Sequence, residues 1–261
     1  MVIGKERRLK RIFSNGKTVI IPMDHGVTSG PVKGLVNMQN IIDKLVLGGA
    51  DGIVIHKGIA KTVDTKGLGL IMHLSASTKY SLNPNRKVIV SSIEEAIRLG
   101  ADAVSVHINV GDEKEPEMLE ALGKIADECD RFGMPLLAMM YPRGAKIISE
   151  HDVEAVAHAA RLGAELGADV IKTNYTGSVE TFKKVVEACP VPVVIAGGPK
   201  VETTKEILQM VYDSLKAGGA GISIGRNVFQ HEDPTVMTKA LTAIVHKGVS
   251  VNEALKILGE S

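Results

Sequence analysis

The sequence predicts an α/β chain folded as one (β/α)₈ TIM barrel spanning residues 1–261, and three observations carry that reading. The length suits a barrel of eight strand–helix units with a full hydrophobic core. Eight short apolar runs alternate with stretches of helical periodicity. A three-residue phrase, Gly-Ala-Asp or its near copy, recurs before every second run, as four βαβα quarters of a closed ring would require.

The runs lie at 18–23, 52–56, 70–74, 103–107, 135–140, 170–173, 193–196 and 221–225, most of them carrying β-branched residues and bounded by Gly, Pro or Asp. Such short, buried strands call for parallel pairing with helices outside. The helices are read at 41–48, 93–99, 117–132, 153–166, 180–188 and 204–217, where apolar residues return at three- and four-residue steps. Gly49-Ala50-Asp51, Gly100-Ala101-Asp102, Gly167-Ala168-Asp169 and Gly219-Ala220-Gly221 each close a helix and open a strand. The leading glycine is expected to supply the left-handed helix cap that reverses the chain. The competing architecture, a doubly wound open sheet, lacks the G-x-G-x-x-G that would follow its first strand.

Composition narrows the function classes. With 31 Lys and Arg against 30 Asp and Glu, no field of one sign would hold a nucleic acid or an anionic membrane, so neither partner is expected. The basic start, residues 1–11, has no long apolar run, and no stretch elsewhere reaches the ~18 apolar residues of a membrane span. Cys129 and Cys189 fall near the ends of expected surface helices and form no C-x-x-C pair, which fits a reducing cytoplasm. In that compartment the Asn174-Tyr175-Thr176 sequon carries no meaning.

Barrel chemistry sits at the C-terminal strand ends. Lys172 stands inside the apolar run Val170-Ile171-Lys172-Thr173, where an ammonium is expensive to bury. Either it pairs with a carboxylate from a neighbouring strand, or it is kept as a neutral amine able to attack a ketone. Lys57, just past the second strand, ranks below it as a loop residue. Asp24 ends the first strand and would serve as a general acid or base, as a helix cap, or as a partner for Lys172. His25 beside it either orients a ligand or is simply a hydrogen-bonded loop residue. Tyr141 ends the fifth run, before Pro142 and Arg143; its phenol would move a proton, or bond a backbone carbonyl. Gly197-Gly198 after the seventh strand and Gly225-Arg226 after the eighth are where barrels bind phosphate. His56, His73 and His107 also end strands, but no H-x-H pair or carboxylate ring accompanies them, and no metal site is expected.

Met-Asp-His-Gly at 23–26, Met-Tyr-Pro-Arg-Gly at 140–144, Ile-Lys-Thr-Asn-Tyr at 171–175, Ala-Gly-Gly-Pro-Lys at 196–200 and Gly-Arg-Asn at 225–227 together resemble the archaeal-type class I fructose-bisphosphate aldolase family over essentially the whole chain. The stretch 23–31 and His107-Ile108-Asn109-Val110-Gly111 look closer to its synthase branch than to its glycolytic one. Where some relatives place a tryptophan two residues before the active-site tyrosine, this chain has Met139. The resemblance implies a Schiff base on Lys172, with Tyr141 as proton donor and Asp24 as proton acceptor. It implies substrate binding by Asp24, His25, Gly26, Val27, Thr28, Tyr141, Pro142, Arg143, Gly197, Gly198, Gly225 and Arg226. It further implies small-molecule substrates, 6-deoxy-5-ketofructose 1-phosphate and L-aspartate semialdehyde, no metal or organic cofactor, and a homo-oligomer, commonly a decamer. A metal-dependent barrel hydrolase and a non-catalytic sugar-phosphate-binding protein are the alternatives from other classes.

Overall fold

A closed ring of eight parallel strands forms the centre of the computed structural model, which describes residues 3–199 and 203–260. Lys200 of the Ala-Gly-Gly-Pro-Lys motif lies outside the described residues, as do Met1 and Val2 of the basic start. The strands are β1 (Thr18–Pro22), β2 (Gly52–Ile55), β3 (Gly69–His73), β4 (Ala103–Val110), β5 (Leu136–Pro142), β6 (Val170–Thr173), β7 (Val193–Ala196) and β8 (Gly221–Ser223). Each pairs with its neighbours in sequence, and β8 returns to β1 through Thr18↔Gly221. The barrel is therefore the predicted one. β4 runs past His107, its expected end, because pairing with β5 continues to Val110↔Pro142.

Helices Met38–Gly48, Ile93–Arg98, Glu115–Phe132, Val153–Glu165, Val179–Ala188 and Thr204–Lys216 surround the strands, and Pro234–Lys247 completes the ring. Side-chain caps fix several starts: Asn37, Ser92, Asp152 and Ser178 each accept an N–H three residues on. Strand period two divides the core. Val19, Ile21, Ile53 and Ile55 face the helices, whereas Ile20, Val54, Ile71, Leu137 and Val170 fill the barrel and rest on Ile12 from the N-terminal segment.

The Gly-Ala-Asp phrases build the lower rim. Asp51, Asp102 and Asp169 accept the N–H groups of Val19, Leu70 and Leu136 at 2.6, 2.9 and 2.8 Å, which pins the starts of β1, β3 and β5. Their other partners are His246, Arg11 and Lys5. Gly49, Gly100 and Gly167 have the expected positive φ. In the fourth copy Gly218 (φ +99°) takes that conformation in place of Gly219. Gly219 is needed for space instead, since a Cβ there would lie 2.7 Å from the Ser214 carbonyl oxygen. Stability is thus concentrated at the lower rim, leaving the upper ends of the strands to the polar residues.

Candidate active site

A cavity of about 280 Å³ opens at the C-terminal ends of the strands and is lined by Asp24, His25, Thr28, Tyr141, Arg143, Lys172, Gly197, Gly198, Gly225 and Arg226, among others. Alternation along β6 sends Lys172 inward and Thr173 outward, where the Thr173 hydroxyl donates to the Met140 carbonyl at 2.8 Å and ties β6 to β5. Lys172 is only 6% exposed and lies in register between Met139 and Val194. Among the described residues no carboxylate lies within ion-pair distance of its ammonium, so the reading of Lys172 as half of a salt bridge is not met.

Asp24, at the end of β1, contacts two imidazoles at 3.6 Å: His25 through Nδ1 and His73 through Nε2. Burial alone would raise its pKa, but the charges of His73, His25, Lys172 and His56 outweigh burial and hold it at about 2. Burial dominates at His73, whose imidazole is brought down to about 4 against the pull of Asp24. These two values agree, because on acidification His73 becomes a cation near 4, before Asp24 takes its proton near 2. Near neutrality the carboxylate is ionised and the imidazole neutral. His73 Nδ1 shares a hydrogen bond of 2.8 Å with the Ser105 hydroxyl, and the carboxylate facing Nε2 favours the tautomer with its proton there and Nδ1 as the acceptor.

Tyr141 points inward from β5 between the Arg143 guanidinium, 4.6 Å from its ring centre, and the His107 ring at 5.0 Å. No backbone carbonyl takes its hydroxyl among the described residues, so the phenol is free for the cavity. His107 is kept neutral by burial, with Lys87 and Arg143 acting the same way. Its Nε2 meets Asn109 Oδ1 at 2.9 Å.

The opposite wall is built from backbone. A Cβ on Gly225 would fall 2.6 Å from the Pro22 carbonyl oxygen and 2.9 Å from His25 Cε1, so only glycine lets β8 close against β1 here. Gly198 adopts φ +63°. Arg226 Nη2 donates to the Gly198 carbonyl at 2.9 Å and Asn227 Nδ2 to that of Gly197 at 3.0 Å, joining the loops after β7 and β8. Among the described residues Arg226 Nε and Ser223 Oγ are buried with no hydrogen-bond partner, the unmet donors that an anion would satisfy.

These features sit in a chain that matches the DeoC/LacD family aldolase profile over residues 18–231. The chain belongs to the DeoC/LacD aldolase family. A 2-amino-3,7-dideoxy-D-threo-hept-6-ulosonate synthase of Archaeoglobus fulgidus is 46% identical over 99% of this chain and 97% of its own. A 2-amino-4,5-dihydroxy-6-oxo-7-(phosphonooxy)heptanoate synthase of Streptomyces griseus is 44% identical over 93% of this chain and 90% of its own. Among solved structures, a Schiff-base-forming fructose-1,6-bisphosphate aldolase superimposes with a TM-score of 0.88 at 36% identity, covering 93% of this chain and 100% of the other. The protein is accordingly an enzyme of the class I, Schiff-base-forming aldolase type.

Three expected lining residues are not in this aldolase cavity. Gly26 and Val27 sit in the short helix His25–Ser29, whose period brings His25, Thr28 and Ser29 to the cavity and turns the two between them away. Pro142 alternates outward between Tyr141 and Arg143 and lines a neighbouring depression instead. Lys57 begins a single helical turn and donates to the Val90 carbonyl, away from the cavity. His56 and His73 stack edge to face, while His107 turns to Tyr141; among the described residues no group of three or more His, Cys, Asp or Glu is arranged to hold a metal ion. Both cysteines are buried, facing the core rather than the surface. No helix among the described residues is long and apolar enough to cross a membrane.

Sequence reasoning missed Lys87, Ser29, Asn174 and Ser223, all of which line the cavity. Asn174 and Ser223 follow from counting by two from Lys172 and Gly225. Lys87 carries almost no local signal, because it follows a stretch of Asn, Pro and Ser typical of an exposed loop.

Proposed function

We propose that the protein catalyses a transaldol reaction that converts 6-deoxy-5-ketofructose 1-phosphate and L-aspartate semialdehyde into 2-amino-3,7-dideoxy-D-threo-hept-6-ulosonate, a step toward 3-dehydroquinate and the aromatic amino acids. The Lys172 amine adds to the ketone beside the methyl group, and loss of water gives an iminium. Asp24 takes the proton of the β-hydroxyl; the carbon–carbon bond breaks, its electrons pass to the iminium, and hydroxypyruvaldehyde phosphate leaves an enamine behind. The enamine carbon then attacks the aldehyde of aspartate semialdehyde, the new alkoxide takes a proton from Asp24, and water hydrolyses the iminium to release product. Tyr141 protonates the carbinolamine hydroxyl as water departs. Arg143 on one wall and Gly197, Gly198, Gly225 and Arg226 on the other, with Thr28 and His25 beside Asp24, flank the substrate on either side of Lys172.

The observation that carries this reading is the buried Lys172 amine, without an ion-pair partner among the described residues, sharing one cavity with Asp24 and Tyr141. Full-length identity of 46% to the Archaeoglobus synthase supports the choice of substrates. Fructose-bisphosphate aldolase activity is the second reading, favoured by the solved aldolase at 36% identity and by cations at both ends of the cavity, which also suit a bisphosphate. Incubation with each sugar phosphate in the presence and absence of aspartate semialdehyde, followed by mass spectrometry, separates them. Formation of the amino-heptulosonate supports the synthase; cleavage of fructose 1,6-bisphosphate alone supports the aldolase. Action in the cytoplasm and assembly as a homo-oligomer, a decamer on the resemblance, belong to the same proposal, and sedimentation of the purified protein tests the assembly.

A further inference from the structure

Lys87 stands on the wall opposite the glycine loops, beside the small antiparallel hairpin of Ser75–Ala76 with Val88–Ile89 that rises over β3 and β4. Its ammonium donates to Ser77 Oγ at 2.5 Å and to the Pro84 carbonyl at 2.8 Å. A lysine has three N–H donors, and the third has no protein acceptor among the described residues. Arg143 flanks the same space; its Nε is held by Glu150 at 2.9 Å and its guanidinium plane lies on Tyr141. No carboxylate is within ion-pair distance of Lys87 among the described residues, and a second cation stands close by. Burial and the nearby Arg143 bring the Lys87 pKa down to about 8, with Asp24 and Asp112 opposing, as expected for a cation lacking a counter-ion.

The chemistry of the substrates says what this wall must hold. In the proposed reaction the aldehyde that leaves and the aldehyde that enters meet the same enamine carbon, so they occupy the same side of Lys172 in turn. The first carries a phosphate and the second a carboxylate, each a few bonds from its aldehyde carbon. The names of the two synthase relatives point the same way: both products end in the amino-acid carboxylate and differ at carbon 7, next to the ketone, where one is deoxy and the other bears a phosphonooxy group. A group on carbon 7 stays near the Schiff-base carbon, on the side of Gly197 and Gly198 in the loop after β7, the strand paired with β6. The shared carboxylate extends away from it, across the cavity. We infer that Lys87, with Arg143, forms the subsite for the anionic end of the aldehyde substrate, holding the carboxylate of the incoming acceptor.

This assignment rests on the function proposed above, and the test separates the two. The wild type, Lys87→Met and Lys87→Arg are compared with aspartate semialdehyde and with two acceptors of matched shape, succinate semialdehyde and butanal, in which a methyl replaces the carboxylate. The wild type should prefer succinate semialdehyde over butanal in kcat/KM. Lys87→Met should reduce that preference about 10- to 100-fold, the range for one charge-assisted hydrogen bond in a desolvated site. Lys87→Arg should restore most of it. If Lys87 only anchors its loop, Lys87→Met will slow both acceptors equally and leave the preference intact, which overturns the assignment while the proposed function stands. A wild type that forms the Lys172 adduct but never consumes aspartate semialdehyde sinks the assignment and the function together.

Discussion

Replacing His73 with glutamine should remove an acid-sensitive weakness built into the active site. In the folded protein burial lowers this imidazole from 6.5 to about 4, opposed by Asp24 and reinforced by His56, Lys172 and Lys87. The unfolded chain binds a proton at His73 below about 6.5, whereas the folded protein refuses it until about 4. Protonation therefore favours unfolding across that window: the stability associated with neutral His73 is complete above about 6.5 and is lost as the pH falls toward 4. At about 1.4 kcal/mol per pH unit, the window corresponds to about 3 kcal/mol. Glutamine is neutral throughout and keeps an N–H for Asp24, so the variant lacks this loss. Thermal unfolding of both proteins at pH 7 and pH 4 reads the difference, since the carboxylates and histidines other than Asp24, which loses the His73 charge in the variant, are common to both. Acidification should lower the wild-type Tm by about 6–12 °C more than that of the variant, taking about 2–4 °C per kcal/mol for a chain near this size. A Tm difference between the two proteins that changes by less than about 2 °C from pH 7 to pH 4 would show that His73 is not held neutral, and with it that Asp24 does not sit in the described environment.

Three other substitutions probe separate parts of the account. Tyr141→Phe removes the phenolic proton and should lower kcat by about 10²- to 10⁴-fold, and mass spectrometry after borohydride should find substrate trapped on Lys172 much more slowly, because the carbinolamine loses the acid that helps water depart and only the iminium is reduced. Gly225→Ala places a methyl 2.6 Å from the Pro22 carbonyl oxygen; calorimetry should show a loss of about 1–3 kcal/mol, and steady-state kinetics a raised KM for a donor phosphorylated beside its ketone. Asp169→Ala leaves the Leu136 N–H unpaired and Lys5 with Asp130 alone. It should cost about 2–4 kcal/mol in denaturant titration with kcat unchanged below the transition, because the lower rim is remote from the chemistry.

The barrel was legible because its signals are local and repeated. Apolar runs such as Val170-Ile171 mark buried strands, and the Gly-Ala-Asp phrases mark the returns into β2, β4 and β6. The phrase's aspartates were read only as boundaries between helix and strand, although their larger role is to bind the N–H groups of strands about thirty residues away, a pairing that spacing does not reveal. Lys172 and Asp24 were legible because a charge inside or ending an apolar run is costly and local. Lys87 was not, because its significance depends on a long loop folding back over β4, where Asn109 holds the Asn85 carbonyl at 2.6 Å. His73 was seen as a strand end, but its partners Ser105 and Asp24 come from other strands. Gly26, Val27 and Pro142 do not line the cavity, because a motif names consecutive residues whereas a helix turn or a strand presents only some of them to one side.

The central claim is that Lys172 carries the substrate. Borohydride reduction in the presence of 6-deoxy-5-ketofructose 1-phosphate, with EDTA throughout, followed by peptide mass mapping, tests it most directly. The account predicts one stable adduct, on the peptide containing Lys172 and lost in Lys172→Met. An adduct on Lys57 or Lys87, or protein that turns over substrate and yields no adduct, would contradict it.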